Sequence, residues 1–247
     1  MAFHSALVLR KHTVGYFRCP SCGFVQTEPP YWLDEAYSSA LSSYDTGVMQ
    51  RNLRNARVTA SVIALLFPEA KGFLDYGGGH GTFVRLMRDL GFNFRWSDKY
   101  ANNLHAQGFD HVAGEHYDLA TAFELLEHLT DPIGELSAIL RYADNLLTTT
   151  ILLPEPAPSP AEWWYYSVES GQHISFYTSA ALKKTAKRLG VHVISNGEFH
   201  LWSRVPRNSV AFRAAANPWL AQIISRICRR KSLTESDFEL LSGRVLR

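Results

Sequence analysis

Between residues 47 and 205 the apolar positions alternate between helical runs and short strand-like runs, a pattern that predicts an α/β domain. Gly47 to Leu66 places Val48, Leu53, Val58, Val62, Leu65 and Leu66 in near-helical register and stops at Pro68. Phe73 and Leu74 begin a short strand that ends at Asp75-Tyr76, and Gly77-Gly78-Gly79-His80-Gly81 follows. Thr82 to Leu90 carries Phe83, Leu86, Met87 and Leu90 at helical spacing until Gly91 stops it. Phe92 to Trp96 predicts a second strand closing on Asp98, and Ala101 to Gln107 a short helix. Asp118 to Phe123 reads as a buried strand, and Pro132 to Tyr142 as a helix with Asp131 as N-cap and proline in its first turn. Asn145 to Leu153 predicts a strand ended by Pro154, and Ser179 to Leu189 a helix. Val191 to Asn196 and Phe199 to Ser203 are two β runs around an Asn196-Gly197 turn.

The glycine run sits where an α/β sheet binds ligands, between a strand and the helix after it. Glycine lets the main chain approach a bulky ligand, and a helix N-terminus offers unpaired N–H donors. Asp98, 17 positions after Gly81, is placed to accept hydrogen bonds from ribose hydroxyls. The spacing excludes a dinucleotide fingerprint, because the third glycine of G-x-G-x-x-G, counted from Gly77, would fall at Thr82. What stands instead is D-x-G-x-G-x-G, formed by Asp75, Gly77, Gly79 and Gly81.

That pattern resembles the first motif of the class I S-adenosylmethionine (SAM) methyltransferases. Tyr117 to Pro132 is similar to the fourth strand of that family and the turn after it, and Gly171 to Gly190 to the segment leading to its late helix. The resemblance runs over residues 50 to 205. It implies a Rossmann-like class I methyltransferase fold, a mostly parallel seven-stranded sheet between helices. It also implies SAM as methyl donor, with Asp75, Gly77, Gly79, Gly81, Asp98, Phe123 and Glu124 as its contacts. Tyr44 and Arg51, near the start of the first long helix, are further candidates for touching it. Gly108 to Glu115 departs from the family, being compressed where a longer third strand is usual. Three units are expected: residues 1–45 as an N-terminal appendage, 46–205 as the SAM-binding domain and 206–247 as a basic helical extension.

Composition adds bounds rather than a function. The chain has 247 residues, 46% of them apolar and 19% charged, as in an ordinary globular protein. No apolar run is long enough for a membrane span and no signal peptide is evident, so a cytoplasmic protein is expected. The net charge of +2 conceals a balance of −7 over residues 1–182 and +9 over residues 183–247. A basic tail suits an anionic substrate, a membrane surface or nucleic acid, but the short Arg229-Arg230-Lys231 cluster with acidic residues after it reads first as a solvated helix face. Three cysteines make no disulfide framework. Cys19-Pro20-Ser21-Cys22 resembles one knuckle of a zinc ribbon, so Cys19 and Cys22 are candidate zinc ligands, although the second knuckle is missing.

Methyl transfer from SAM is an in-line displacement at a sulfonium-bound methyl. The protein aligns the reactants and, for a hydroxyl acceptor, removes a proton. Glu124, Glu127 and His128 form E-x-x-E-H just beyond the strand at 118–123, and His173 and Tyr177 lie farther on. His173, His128, Glu124 and Tyr177 are therefore the catalytic candidates. Two readings stand beside a structural role. A histidine serves as general base near neutral pH, or Glu124, Glu127, His128 and His173 hold a divalent ion. The ion is implied by a resemblance to small-RNA 2′-O-methyltransferases and quinone-biosynthesis O-methyltransferases. Pro154 to Ser170 sets four prolines before Trp163-Trp164-Tyr165-Tyr166, which reads as a lid over the acceptor pocket or as core packing. With the half-ribbon, this loop resembles methyltransferases that accompany glycosyltransferases in polysaccharide synthesis. The implied partner is a small-molecule, sugar-containing acceptor. An RNA-directed enzyme and a non-catalytic SAM-binding scaffold are the alternatives.

Overall fold

A computed structural model describes residues 1–37 and 45–244, so Tyr44 lies outside the described residues. The chain opens on a hairpin, β1 (Ala2–Val8) and β2 (His12–Arg18), followed by β3 (Val25–Thr27) and one turn of helix, α1 (Leu33–Ala36). The long α2 (Val48–Leu66) leads into β4 (Phe73–Tyr76), α3 (Thr82–Asp89), β5 (Phe94–Ser97) and β6 (Leu119–Ala122). Then come α4 (Pro132–Tyr142), β7 (Asn145–Thr149) and, past the proline-rich loop, β8 (Ser175–Phe176). The chain continues through α5 (Ser179–Leu189), β9 (His192–Ser195) and β10 (Phe199–Ser203). It finishes in α6 (Ser209–Ala215), α7 (Pro218–Ile227) and α8 (Thr234–Ser242).

Among the described residues the main sheet has six strands in the order β5-β4-β6-β7-β10-β9. Strands β5, β4, β6 and β7 run parallel, and β10 is antiparallel to both its neighbours. Parallel strands are covered on both faces, and β6 and β7 are accordingly buried along their whole length. One core cluster joins Val58, Val62 and Ile63 of α2 to Phe73, Phe94 and Leu119 on one face of the sheet. The other face packs Leu136 and Ile139 of α4 and Leu182 of α5 against Leu74, Ala120 and Leu146. Helix ends follow local chemistry: Asp131 accepts from the Gly134 N–H at 3.0 Å, and Thr178 from the Ala181 N–H at 3.0 Å.

The strand missing from the expected seven is the third. Its remnant holds the edge of β5 by two hydrogen bonds, Trp96 N–H to the Phe109 carbonyl at 2.8 Å and His111 N–H to the Trp96 carbonyl at 2.7 Å. The helix expected over 101–107 is instead a series of turns. The Asn103 amide accepts from the Ala106 N–H and donates to its carbonyl, both at 2.9 Å, so the side chain takes bonds a helix would use.

The N-terminal strands form a second sheet, β1-β2-β3-β8, whose last strand comes from the far side of the aromatic loop. Gln26 of β3 also donates to the Thr130 carbonyl at 3.0 Å and to Ser175 Oγ at 3.2 Å. The residues expected as an appendage are thus hydrogen-bonded into the region of 126–178. The Cys19–Cys22 knuckle is a turn, closed by the Gly23 N–H on the Cys19 carbonyl at 2.9 Å, and the Cys22 carbonyl accepts from the Thr178 hydroxyl. Among the described residues no third His, Cys, Asp or Glu donor gathers with the two thiols. Among them, too, no helix is long and apolar enough to cross a membrane.

At the C-terminus, α6 and α7 pack on α2, and α8 is fixed to α3 by a buried ion pair. The Arg88 guanidinium donates to both Asp237 carboxylate oxygens at 2.8 and 2.6 Å and lies 3.6 Å from the centre of the Phe109 ring. Removing one partner of a buried pair leaves an uncompensated charge. Asp237→Ala is expected to lower unfolding free energy by about 3–5 kcal/mol in urea titration, whereas a loss below about 1 kcal/mol would rank the pair with exposed ones.

Candidate active site at the carboxyl ends of the parallel strands

The glycine turn between β4 and α3 is held from below by side chains of β5 and the loop after it. Trp96 Nε1 donates to the Gly79 carbonyl at 2.9 Å, and Asp98 Oδ2 accepts from the Gly79 N–H at 2.9 Å. Asp98 Oδ1 takes two further N–H groups, Tyr100 at 2.7 Å and Ala101 at 2.8 Å. The glycines differ in what requires them. At Gly79, with φ +53°, a Cβ would meet no atom of the described residues within 4 Å, and Gly79 lines a cavity. At Gly78 a Cβ would lie 2.7 Å from Asp75 Oδ2 and 2.8 Å from the Trp96 ring. At Gly81 it would lie 2.7 Å from Asn103 Oδ1. Those two are small to let the turn pack, while Gly79 is small on the side a ligand approaches. Asp75 is buried and accepts from the Thr121 hydroxyl at 2.6 Å, and burial pushes its carboxyl up to about 7.

The cavity over this turn measures about 1390 Å³. Its lining includes Gly77, Gly79 and Asp98 at one end and Glu124, His128 and His173 at the other. Glu124 has a left-handed backbone, φ +49°, which is costly without glycine. Thr149 of β7 fixes it, accepting from the Glu124 N–H at 2.9 Å and donating to its carboxylate at 2.7 Å. Glu127 lies deeper. Its Oε1 accepts from the Tyr165 hydroxyl at 2.6 Å, and its Oε2 is buried with no hydrogen-bond partner within 3.5 Å among the described residues. Burial, with the repulsion of Glu127 next, pushes Glu124 up to about 7, and burial pushes Glu127 up to about 7.

Two imidazoles complete the cluster, their ring centres 4.9 Å apart. His173 Nδ1 lies 2.7 Å from the Tyr165 carbonyl and His128 Nδ1 lies 3.0 Å from the Gln172 carbonyl. A carbonyl only accepts, so both Nδ1 atoms carry hydrogen, and each neutral ring keeps a lone pair on Nε2. Burial pushes His128 down to about 3 and also lowers His173, which favours these neutral forms. One donor atom each from Glu127, His128 and His173 lies within 4.8 Å of the others.

Residues 49–196 match the sequence profile of a family described as a methyltransferase domain. The chain belongs to this methyltransferase family. No curated protein sequence matches it. Among solved structures, the plantazolicin methyltransferase BpumL, in complex with a monoazolic desmethylPZN analog and SAH, aligns over 78% of this chain and 87% of its own. That alignment has 12% identity and a TM-score of 0.50, a likeness of fold. Human N-acetylserotonin methyltransferase in complex with SAM covers 71% of this chain and 62% of its own, at 15% identity and a TM-score of 0.44. Magnesium protoporphyrin IX methyltransferase from Synechocystis PCC 6803 with bound SAH covers 69% and 90%, at 13% identity and a TM-score of 0.42.

Of the residues expected from sequence, Arg51, Gly77, Gly79, Asp98, Glu124, His128 and His173 line the cavity, whereas Asp75, Gly81, Phe123, Glu127 and Tyr177 do not, nor do Cys19 and Cys22. Tyr177 is buried in the core and spends its hydroxyl on the Leu126 carbonyl at 3.0 Å. Phe123 packs edge-on against Phe83, with ring centres 5.0 Å apart, and Gly81 lies under Ala106. Glu124, expected among four metal ligands, is turned to Thr149 and stands outside the close set of Glu127, His128 and His173. Arg51 lines the cavity with its guanidinium engaged by Asp45 at 2.7 Å. The aromatic loop divides its work: Tyr166 is core, Tyr165 bonds Glu127 from the cavity wall, and Trp164 is exposed at the cavity.

Sequence reasoning missed Tyr37 and Tyr100, whose rings stack 5.8 Å apart over the cavity, with the Tyr37 hydroxyl 2.9 Å from His128 Nδ1. Neither lies in a motif, and only the fold brings 37 and 100 together. A carboxyl raised from 4.5 to about 7 favours folding below its unfolded value and loses that contribution as pH rises through the folded one. Glu127→Gln, which keeps an acceptor for Tyr165, is expected to melt several degrees above wild type near pH 8, with little difference near pH 5. Thermal unfolding by circular dichroism at both values checks this. An equal difference at both would mean the carboxyl is not raised.

Proposed function

We propose that the protein transfers a methyl group from SAM to a hydroxyl of a small-molecule acceptor, a sugar or glycan precursor being the acceptor class that fits best. The observation that carries this is the shared cavity, which joins the open face of Gly79 and the Asp98 carboxylate to a pair of neutral imidazoles. Asp98 and the Gly77–Gly79 main chain would hold SAM, which supplies a methyl on a sulfonium that is already a good leaving group. The turn fits such a group because Gly79 presents open space where a side chain would otherwise stand. A hydroxyl acceptor at the other end of the cavity would receive that methyl, and His173 would take the hydroxyl proton. The bond from His173 Nδ1 to the Tyr165 carbonyl holds the ring in the tautomer whose Nε2 can take that proton. Tyr37, Tyr100, Trp164 and Tyr165 supply aromatic faces of the kind that pack on sugar rings, with the carboxylates of Asp131 and Glu135 on the same cavity.

A second reading adds a divalent ion held by Glu127, His128 and His173. It is favoured by the unpartnered Glu127 Oε2 and by the two Nδ1–H to carbonyl bonds, since metal-bound histidines commonly donate their other ring N–H to a carbonyl. The ion would hold acceptor oxygens and lower the pKa of the reacting hydroxyl.

Calorimetric titration with S-adenosylhomocysteine separates these claims. Wild type is expected to bind, and Asp98→Ala to bind about 10–100-fold more weakly, through loss of a charged hydrogen-bonding partner. A folded wild type that does not bind would remove the methyltransferase reading of the cavity. His173→Ala is expected to retain the affinity for S-adenosylhomocysteine while turnover of a glycan acceptor falls about 10²–10⁴-fold. Unchanged turnover would remove the base role. For the ion, titration with Mn²⁺ is expected to show a site in wild type that Glu127→Gln loses. Unchanged turnover of Glu127→Gln in the presence of a chelator would exclude it.

A further inference from the structure

The methyltransferase has an exposed apolar stripe that its site chemistry does not use. On α7, Trp219, Ile223 and Ile227 recur every fourth residue and are 81%, 55% and 78% exposed, with Leu220 beside them. The opposite side of α7 buries Ala221 against the core, so this stripe is the outward face of a docked amphipathic helix. On α2, Met49 and Leu53 are also exposed, and Arg57 follows them at the same spacing. Arg54, Arg57, Pro218, Trp219 and Gln222 line one shallow cleft of about 320 Å³, which joins the two helices into one surface. Arg54 also lines the large cavity, so the surface runs up to its mouth.

Charge says what covers it. Arg57, Arg213, Arg226 and Arg229 are exposed around the stripe, and among the described residues none has a carboxylate within ion-pair distance. Of the acids on neighbouring elements, Asp237 is buried on Arg88, Glu198 pairs with Arg54 and Glu235 with Lys231. Large apolar side chains ringed by arginines, with a tryptophan at one end, match the water–lipid boundary of an anionic bilayer. A second copy matches poorly, because a two-fold pairing on this face would press arginines against arginines.

We infer that the α2–α7 face docks reversibly on an anionic lipid surface, with Trp219, Ile223 and Ile227 entering the headgroup region and the flanking arginines meeting lipid phosphates. This docking would bring the mouth of the cavity to the membrane, and it stands whether or not the cavity takes SAM. The test is sedimentation of the full chain with phosphatidylcholine vesicles, with and without phosphatidylglycerol. Wild type is expected to sediment with the anionic vesicles at low salt, to stay in solution with neutral ones, and to be released as salt is raised. Trp219→Asp and Ile223→Asp are each expected to lower partitioning about tenfold, and Arg226→Ala and Arg229→Ala about fivefold each. These side chains are exposed, so the unfolding midpoint should not move, which separates lost docking from misfolding. Wild type that stays in solution with anionic vesicles at low salt would overturn the inference. A dimer in analytical ultracentrifugation that Trp219→Asp disperses would overturn it too, assigning the face to a second copy.

Discussion

Three main-chain N–H groups converge on the carboxylate of Asp98, and the rest of the site depends on that convergence. Gly79 comes from the turn after β4, and Tyr100 and Ala101 from the loop after β5. Hydrogen bonds to a charged acceptor are stronger than neutral ones, and these three tie two separate loops to one side chain. The first loop then keeps the open face of Gly79 toward the cavity. The second loop puts the Tyr100 ring where it stacks on Tyr37, whose hydroxyl reaches His128. One residue at a strand end therefore connects the glycine turn to the imidazoles across the cavity.

The opposite wall is built from groups that water would prefer to keep. Glu127 is buried with one oxygen unpartnered among the described residues, and Glu124 holds an uncommon backbone conformation beside it. Such features persist only where the surroundings over-determine them. Here Thr149 takes both ends of Glu124, and Tyr165 reaches Glu127 from the aromatic loop. The same Tyr165 offers its carbonyl to His173, so one loop residue sets a carboxylate and an imidazole together. The loop is held in turn by Tyr166, whose ring centre lies 5.3 Å from that of Tyr16 and 4.5 Å from that of Phe176. The N-terminal sheet thereby contributes to the site without touching its chemistry.

Elements whose signal is local were legible in the sequence. The glycine turn, the Asp131 cap, the α2 and α3 periodicities and the β9–β10 hairpin all depend on neighbours within a few residues. The E-x-x-E-H run marks the polar groups that the fold brings near His173, but not which of them stand closest to it. Whether Glu124 or Glu127 joins the histidines depends on Thr149 and Tyr165, which lie 25 and 38 residues beyond their respective partners. Tyr177 read as a site residue because it follows His173 closely, yet β8 intervenes and its side chain enters the core. The stacked Tyr37–Tyr100 pair carried no sequence signal at all, because the stacking exists only in the folded chain.

The shortened third strand shows how a local loss is made good by distant chain. With only the 109–111 remnant beside it, β5 is left at the edge of the sheet, where unpaired backbone groups invite other strands. The C-terminal helix covers this region. A Cβ on Gly108 would lie 2.4 Å from the Leu241 side chain of α8, and one on Gly91 would lie 2.4 Å from the Lys231 carbonyl. Both glycines have positive φ, so each serves a turn and a close approach at once. The Arg88–Asp237 pair locks the contact, and Arg88 also donates to the Phe94 carbonyl of β5 itself. Residues 206–247 look by composition like a basic tail, but the segment from Lys231 through α8 packs against the loops on either side of β5. The positive charge that remains outside is what the α7 face presents to its surroundings.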